Sequence, residues 1–327
     1  MRPTLRRRLL GGVLCAPVPA LPAAAQDAGF PSRPLRMVVP FAPGGSGDIV
    51  ARITAQGMSE ALGQPIAVEN RGGSGGVIGS EAALAAPADG YTIVFHTLSS
   101  AVLNAALYRN IPFDTRRAFA PVSLIGLVPN IVVVNPRLPV TTLRDLVELL
   151  RREPGRRTYA SSGPGTITPL SGHMLAEMAG GAMVHVPYRG SGPANADLVA
   201  GRVDVMVDTI SSTIPFVRNG QMRALAVGSP TRSAALPEVP TAAEAGLPEY
   251  QTSNWHALFV AAGTPAAVVA RLEGAARAAF ASPTTNRRLV EVGVDPRGSS
   301  AAELERLWDA EMKRWLPIVR ASGATVE

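Results

Sequence analysis

A glycine-rich segment, Pro40–Asp48 (PFAPGGSGD), has the residue types needed to bind an anion. It follows a β-rich run and precedes a helical pattern. Glycine reaches positive φ angles without steric cost, so consecutive backbone amides can turn toward one anion, and a helix start adds roughly half a positive charge there. The segment predicts a carboxylate or phosphate site with Asp48 as the helix N-cap, although an ordinary strand–helix turn has the same pattern.

A second segment, Ser161–Thr168 (SSGPGTIT), repeats this arrangement between a later strand and helix. Ser161, Ser162 and Thr166 add hydroxyl donors to its glycines. In open α/β sheets, ligands bind outside the carboxyl ends of the strands. We therefore predict that both segments point unpaired amides into one cleft, and that neutral donors hold a small anion there.

Polar residues also stand at the ends of two other predicted strands. Thr97 follows the run Tyr91–His96, and Asp208 ends the run Val203–Asp208. A carboxylate at the carboxyl end of a strand can line the same cleft. Asp208 can equally cap the helix that begins near Ser211, and the sequence leaves both roles open.

The turn Gly72–Gly76 (GGSGG) matches the G-x-S-x-G pattern of a nucleophile elbow. Ser74, Asp208 and His256 also follow one another in the order of an α/β-hydrolase triad. Four glycines around Ser74 disfavour a rigidly held nucleophile, and no HGGG-type oxyanion loop precedes it. A serine hydrolase that uses Ser74 is therefore the alternative function.

No cofactor or metal site is predicted. The four histidines, at positions 96, 173, 185 and 256, lack metal-ligand spacing. A dinucleotide fingerprint would need a glycine at Ile78, and no phosphate-binding G-x-x-x-x-G-K-[ST] motif is present.

The elements that must position these segments alternate between short β-rich runs and helical stretches. Residues 35–96 predict a β-α-β-α-β unit, and residues 130–227 predict a second one. This rhythm is typical of parallel strands covered by helices. No Gly/Ser-rich or charged linker separates the two units, so we expect crossovers at Ser123–Asn130 and Gln251–Phe259. The helix Ala301–Arg320 carries apolar residues at helical spacing, which predicts a core-facing helix.

Composition and charge exclude several classes of protein. The 327 residues are 46% apolar and 17% charged, which excludes intrinsic disorder and favours two domains. The chain has 31 Lys and Arg, and removing the four arginines before residue 26 leaves 27 against 25 acidic residues, a net charge of +2. This balance argues against a nucleic-acid partner.

Residues 1–25 predict a signal peptide and therefore a periplasmic protein. Met1–Arg8 is basic, Leu9–Leu21 is mostly apolar, and three alanines precede Gln26. The apolar run is shorter than the ~20 residues that span a bilayer. Cys15, the only cysteine, lies in this segment, so the mature chain would have neither a disulfide nor a thiol nucleophile.

Short motifs along nearly the whole mature chain resemble the Bug family of extracytoplasmic solute receptors, the substrate-binding proteins of tripartite tricarboxylate transporters. They are Pro31–Gly45 (PSRPLRMVVPFAPGG), Val68–Arg71 (VENR), Ala88–Thr92 (ADGYT), Val186–Gly190 (VPYRG), Arg223–Val227 (RALAV), Leu236–Thr241 (LPEVPT) and Ala262–Pro265 (AGTP). The resemblance implies an α/β, two-lobed, type II-like periplasmic binding protein with a hinged cleft. Residues 26–126 with 252–327 would form one lobe, and residues 127–251 the other.

The resemblance also implies a function without catalysis. Such a receptor would capture a small organic acid (a di- or tricarboxylate, an amino acid or an aromatic acid) as a monomer and deliver it to permease subunits or to a sensor. The family's ligand-binding positions fall here on Phe41, Ala42, Gly44, Gly45, Ser46, Thr97, Ser161, Ser162, Gly163, Thr166 and Asp208. Gly47 stands where the family usually has threonine, which removes a hydroxyl from the first segment.

Overall fold

The computed structural model describes residues 29–321 and 325–326, so the predicted signal peptide lies outside the described residues. The strands are β1 (Leu35–Val39), β2 (Ile66–Asn70), β3 (Thr92–Thr97), β4 (Phe119–Val134), β5 (Arg157–Ser161), β6 (Met183–Pro187), β7 (Val205–Thr209), β8 (Arg223–Val227), β9 (Ser253–Ala261) and β10 (Asp295–Pro296). The helices are α1 (Ser46–Leu62), α2 (Val77–Leu84), α3 (Asn104–Leu107), α4 (Thr115–Ala118), α5 (Leu143–Arg152), α6 (Ile167–Met178), α7 (Ser191–Ala200), α8 (Ile210–Arg218), α9 (Ala266–Ala281), α10 (Pro283–Glu291) and α11 (Ala301–Ala321). A 3-10 turn spans Ser74–Gly76 and a π-helical turn spans Ser99–Leu103.

Within the described residues, the strands form one sheet in the order β2-β1-β3-β9-β4-β7-β5-β6, with β8 and β10 also paired to β4. Strand β1 is parallel to β2 and β3, and β5 is parallel to β6 and β7, as the alternating pattern predicts. Met37, Val38 and Val39 are buried, because helices cover both faces of a parallel strand. We call the β1–β3 half of the sheet with its helices the first lobe, and the β5–β8 half the second lobe.

Two antiparallel strands carry the chain between the lobes. Strand β4 pairs with β9 from Phe119 to Pro129 and with β7 from Asn130 onward. Strand β9 lies between β3 and β4. The predicted crossovers are therefore confirmed, but the sequence placed the start of the β4 strand at Asn130. The missed part contains Pro121, Pro129 and Gly126, which are disfavoured in strands.

The last helix, α11, packs against the first lobe. Leu304, Trp308 and Trp315 are buried there, and Trp308 Nε1 donates to the carbonyl of Ala101 at 2.9 Å. The predicted core-facing role of this helix is confirmed.

In the part of the chain that the structure describes, no helix combines the length and the apolar character needed to cross a bilayer.

Candidate ligand-binding cleft

A cavity of about 790 Å³ lies between the lobes, where the ends of β1, β3, β5 and β7 converge. The first glycine-rich segment, the Gly72–Gly76 turn, the second glycine-rich segment, the start of α7 and part of β9 line it. The lobes touch beside it: Ile167 N donates to Ser99 Oγ at 3.0 Å. A volume in this range fits a small-molecule ligand.

The first glycine-rich segment leaves its amides uncovered where α1 begins. Gly45 is the N-cap residue, with extended angles (φ −83°, ψ 171°). The amides of Ala42, Gly45, Ser46 and Gly47 donate to no acceptor among the described residues. The Ser46 hydroxyl is buried and also without a partner there. These groups can therefore donate to an anion in the cavity, as the helix dipole favours.

The prediction that Asp48 is the N-cap is wrong. Asp48 is the third residue of α1, and its Oδ2 accepts a hydrogen bond from Gly44 N at 3.0 Å. Gly44 has φ 77°, the left-handed conformation that glycine favours. Asn70 Nδ2 donates to the carbonyl of Phe41 at 3.2 Å. Asp48 and Asn70 therefore fix the shape of the loop, and Gly44 lies outside the cavity lining that Phe41, Ala42, Gly45 and Ser46 share.

The second glycine-rich segment bonds the amides of Ser162, Gly163 and Thr166 within itself, so the expectation of unpaired amides is wrong for these three. The amides of Gly165 and Thr168 donate to no acceptor among the described residues. Ser162 N donates to Thr168 Oγ1 at 2.9 Å, and Gly163 N donates to Ser161 Oγ at 3.2 Å. Both the amide and the hydroxyl of Thr166 donate to the carbonyl of Gly163. Of the hydroxyl groups that we expected to help bind the ligand, that of Ser161 instead accepts an amide of the loop, and that of Thr166 donates to a carbonyl of the loop.

The predicted residues of this segment differ in their access to the cavity. Ser162, Gly163 and Thr166 line it. Ser161 is buried behind them and is not part of the lining, and its Oγ lies 2.7 Å from His185 Nε2. Ser161 therefore supports the loop from behind.

The start of α7 is a third glycine-rich turn that the sequence analysis missed. Gly190 has φ 111°, and the amides of Ser191 and Gly192 donate to no acceptor among the described residues. A Cβ on Gly190 would lie 3.3 Å from Ala42 Cβ, so this turn meets the first segment across the cleft. Its sequence, YRGSGP, carries the same glycine signal between a strand and a helix.

Asp208 lines the deep part of the cavity and is buried. Burial raises the pKa of its carboxyl group, and hydrogen bonds from Ser191, Ser212 and other neighbours only partly oppose this shift. Ser212 Oγ donates to Asp208 Oδ2 at 2.7 Å, so the side chain both faces the cleft and bonds to the first turn of α8. Thr97, also predicted, lies in the same lining.

Two further residues of the lining were not predicted as ligand contacts, Asn254 and His256 on β9. The sequence analysis assigned this stretch to a crossover and weighed His256 only as a hydrolase base. Alternation along a strand places residues two apart on one face, so a polar pair in an otherwise apolar strand was the available signal.

The residues of the alternative hydrolase triad share the cavity but are not connected. Among the described residues, no hydrogen bond joins Ser74, Asp208 and His256, and Ser74 is exposed on the 3-10 turn. A nucleophile needs its base within hydrogen-bond reach, and the base needs an orienting partner. The arrangement therefore lacks the contacts of a triad.

The described residues also contain no cluster of three His, Cys, Asp or Glu that could hold a metal ion.

Fold and cleft together define a two-lobed α/β solute-binding protein. The model of the tripartite tricarboxylate transporter family receptor matches residues 50–324. The chain belongs to this family of receptors, and the family resemblance and the fold class predicted from its motifs are confirmed.

Relatives match the chain along almost its whole length. A protein encoded in the tcbD-tcbE intergenic region of Pseudomonas sp. strain P51 is 40% identical, over 96% of this chain and 94% of its own length. BugT of Bordetella pertussis is 34% identical, over 94% of each chain.

Solved structures agree. R. palustris Rpa4515 with adipate superposes with a TM-score of 0.86 at 35% identity, covering 90% of this chain and 98% of its own. The periplasmic binding protein BugD superposes with a TM-score of 0.85 at 31% identity, covering 91% of this chain and 100% of its own. MatC from Rhodopseudomonas palustris with bound malate superposes with a TM-score of 0.81 at 32% identity, covering 89% of this chain and 100% of its own.

Proposed function

We propose that this protein is a periplasmic receptor that captures a small organic carboxylate between its lobes. The observation that carries the proposal is the meeting of two helix starts, α1 and α7, whose amides have no acceptor among the described residues. Two such starts on opposite walls create a strongly donating, positive environment, and the exposed Arg189 in the lining adds a cationic side chain to it. The adipate and malate bound in the similar structures support a carboxylate as the ligand.

We propose that the ligand-binding residues divide into two groups by their availability. Ala42, Gly45 and Ser46 donate directly to the ligand carboxylate, and Phe41 contributes an apolar wall. Of the other predicted residues, Thr97, Ser162, Gly163, Thr166 and Asp208 line the cavity, whereas Gly44 and Ser161 act through the loops that they hold.

We also propose that Asp208 ionises less readily in the empty cleft than an exposed carboxyl group does. An ionised carboxylate beside a bound carboxylate would repel it, and burial already disfavours ionisation. A protonated Asp208 can instead donate a hydrogen bond to the ligand.

The same proposal covers the setting of the receptor. Residues 1–25 direct export, and lobes formed by 26–126 with 252–327 and by 127–251 close around the ligand. The closed monomer then presents the ligand to permease subunits of a tripartite transporter, without catalysis and without a cofactor. The donor-rich cleft suits transient capture, in which opening the lobes releases the anion.

A thermal-shift panel of organic acids tests the proposal. A ligand present at ~100 times its Kd stabilises the folded state by about 2.7 kcal/mol. We expect at least one di- or tricarboxylate, amino acid or aromatic acid to raise the Tm, with neutral sugars as the matched control. A panel in which sugars raise the Tm and no carboxylate does would overturn the proposal.

A further inference from the structure

Asn254 and His256 stand two residues apart on β9 and face the same cavity. The two residues are 6% and 1% exposed, so both polar side chains have been withdrawn from bulk water. Withdrawing a polar group without a partner costs free energy, which calls for a compensating contact.

The amide of Asn254 has a fixed orientation. Its Oδ1 accepts hydrogen bonds from Leu98 N at 3.1 Å and from Trp255 N at 2.9 Å. Because two backbone donors identify the oxygen, the opposite end of the side chain is the NH₂ group. That NH₂ group donates to no acceptor among the described residues. Asn254 therefore offers the cavity donors only.

His256 has no hydrogen-bond partner for either ring nitrogen among the described residues, and its Nδ1 is fully buried. Its ring packs against Phe95, with 5.0 Å between the ring centroids. Phe95 also lies beside the start of α1, because a Cβ on Gly47 would be 3.4 Å from it. The imidazole thus stands next to the anion-binding helix start, separated from it by one aromatic ring. Burial keeps it neutral, with one N–H to donate.

We propose that Asn254 and His256 are specificity-determining residues that hold a second carboxylate of the ligand. This inference rests on the proposed function: one carboxylate occupies the amides at α1 and α7, and the other accepts hydrogen bonds from β9. A monocarboxylate of equal length leaves both buried donors unpaired, which is how a polar site rejects an analogue that lacks the matching group.

The test compares acids that differ by a single carboxylate. Isothermal titration with straight-chain dicarboxylates from succinate to suberate, each paired with the monocarboxylate of equal carbon number, gives the preference of the wild-type protein. We expect the best-bound dicarboxylate to be favoured by ~10-fold or more, since a hydrogen bond to a charged group has this strength.

Two variants then locate the preference. His256→Phe keeps the aromatic packing on Phe95 and removes the donor. Asn254→Asp keeps the oxygen that accepts from Leu98 and Trp255 and replaces the donating group. We expect each to reduce the dicarboxylate preference at least ~10-fold, because the dicarboxylate loses a hydrogen bond that the monocarboxylate does not make.

His96→Phe is the matched control. His96 is equally buried on a neighbouring strand, but it packs against Phe119 and Phe259 and is absent from the cavity lining. Melting curves check that all three variants fold, and this control should keep the wild-type preference. The inference would be overturned if the Asn254 and His256 variants lost equal affinity for the dicarboxylate and its paired monocarboxylate. It would also be overturned if the wild-type protein bound both acids equally well. Either result would leave carboxylate binding intact. Failure of every acid to bind would overturn the proposed function itself.

Discussion

The two glycine-rich segments share a strand–loop–helix plan, yet they differ in which of their amides are already bonded within the loop. In the first segment, the amides of Gly45 and Ser46 remain unbonded within the described residues. In the second, the hydroxyls of Ser161 and Thr168 accept the amides of Gly163 and Ser162. Hydroxyl side chains beside a helix start therefore compete with a ligand for the same donors. Glycine content alone does not distinguish a binding loop from a self-satisfied one.

The largest expected effect concerns stability, and it comes from the second segment. A Cβ on Gly163 would lie 2.2 Å from the carbonyl oxygen of Tyr188, and Gly163 has φ 106°. Gly163→Ala should therefore lower the free energy of unfolding by roughly 3 kcal/mol, from overpacking and backbone strain together. Urea unfolding without ligand measures it.

Gly45→Ala in the first segment is the matched control. A Cβ there meets only ordinary contacts, at 3.6 Å from the carbonyl of Ala42, and φ is −83°. Its free energy of unfolding should stay within about 1 kcal/mol of wild type. Equal losses in the two variants would contradict the contrast between a packed loop and an open one.

The next effect tests whether the first segment binds through its backbone. Ser46 is the first residue of α1, a position at which proline is favoured because its missing N–H is not used by the helix. Ser46→Pro thus removes one free amide and the hydroxyl, whereas Ser46→Ala removes the hydroxyl alone. Against the tightest acid of the panel, we expect a ~30-fold loss for proline and about a threefold loss for alanine.

Calorimetric Kd values and melting temperatures for both variants decide the outcome. Gly45, which precedes the new proline, already has the extended conformation that such a residue adopts, so the fold should tolerate the change. Indistinguishable Kd values for the two variants would mean that the amide of Ser46 does not contact the ligand.

Asp208 gives a smaller, pH-dependent effect. Burial raises its pKa above the ordinary 3.8, so its contribution to stability is complete below that value and is lost as the pH rises through the raised pKa. Over the same window the ionised group begins to repel a bound anion. His256 faces the same cavity, but burial lowers its pKa to about 3, and it stays neutral there.

Asp208→Asn should therefore bind a dicarboxylate roughly tenfold more tightly than wild type at high pH, with a shallower dependence of Kd on pH. Titrations from about pH 5 to about pH 8 measure both properties. If the asparagine variant binds more weakly at high pH, or prefers ligands without an amino group more strongly than wild type, the carboxylate of Asp208 instead pairs with a cationic part of the ligand.

The sequence predicted those parts of the molecule that follow from local pattern. The alternation of β-rich runs and helical stretches predicted the parallel strands β1–β3 and β5–β7, and apolar residues at helical spacing predicted the helix that corresponds to α11. Phe41, Ala42, Gly45 and Ser46 of the first glycine-rich segment line the cavity, and their contact with a ligand stays a prediction. These features depend on residues close together in the chain.

What the sequence missed depends on contacts between distant residues. An amide is free or bonded according to whether a nearby hydroxyl accepts its hydrogen. The contact between Gly190 and Ala42 forms only when the two lobes meet. The roles of Asn254 and His256 likewise require the pairing of β9 with both β3 and β4. No local pattern specifies these pairings.

The smallest expected effect comes from the hydroxyl group of Thr166, which tests the difference between the two glycine-rich segments. Thr166 Oγ1 donates to the carbonyl of Gly163 at 2.7 Å and lies 3.0 Å from Thr168 Oγ1. Thr166→Val removes this hydroxyl with little change in shape. We expect a loss of about 1 kcal/mol in stability and less than a threefold change in ligand Kd, because the hydroxyl already serves the loop.

Ser46→Ala provides the opposite pattern for comparison, since the Ser46 hydroxyl has no partner within the described residues and its loss should affect binding more than folding. Urea unfolding and calorimetry on both variants give the free energy of unfolding and the ligand Kd for a change in each loop. A Thr166→Val protein of unchanged stability with strongly weakened binding would show that the second segment turns its hydroxyls to the ligand on binding. The two loops would then differ only in the empty state.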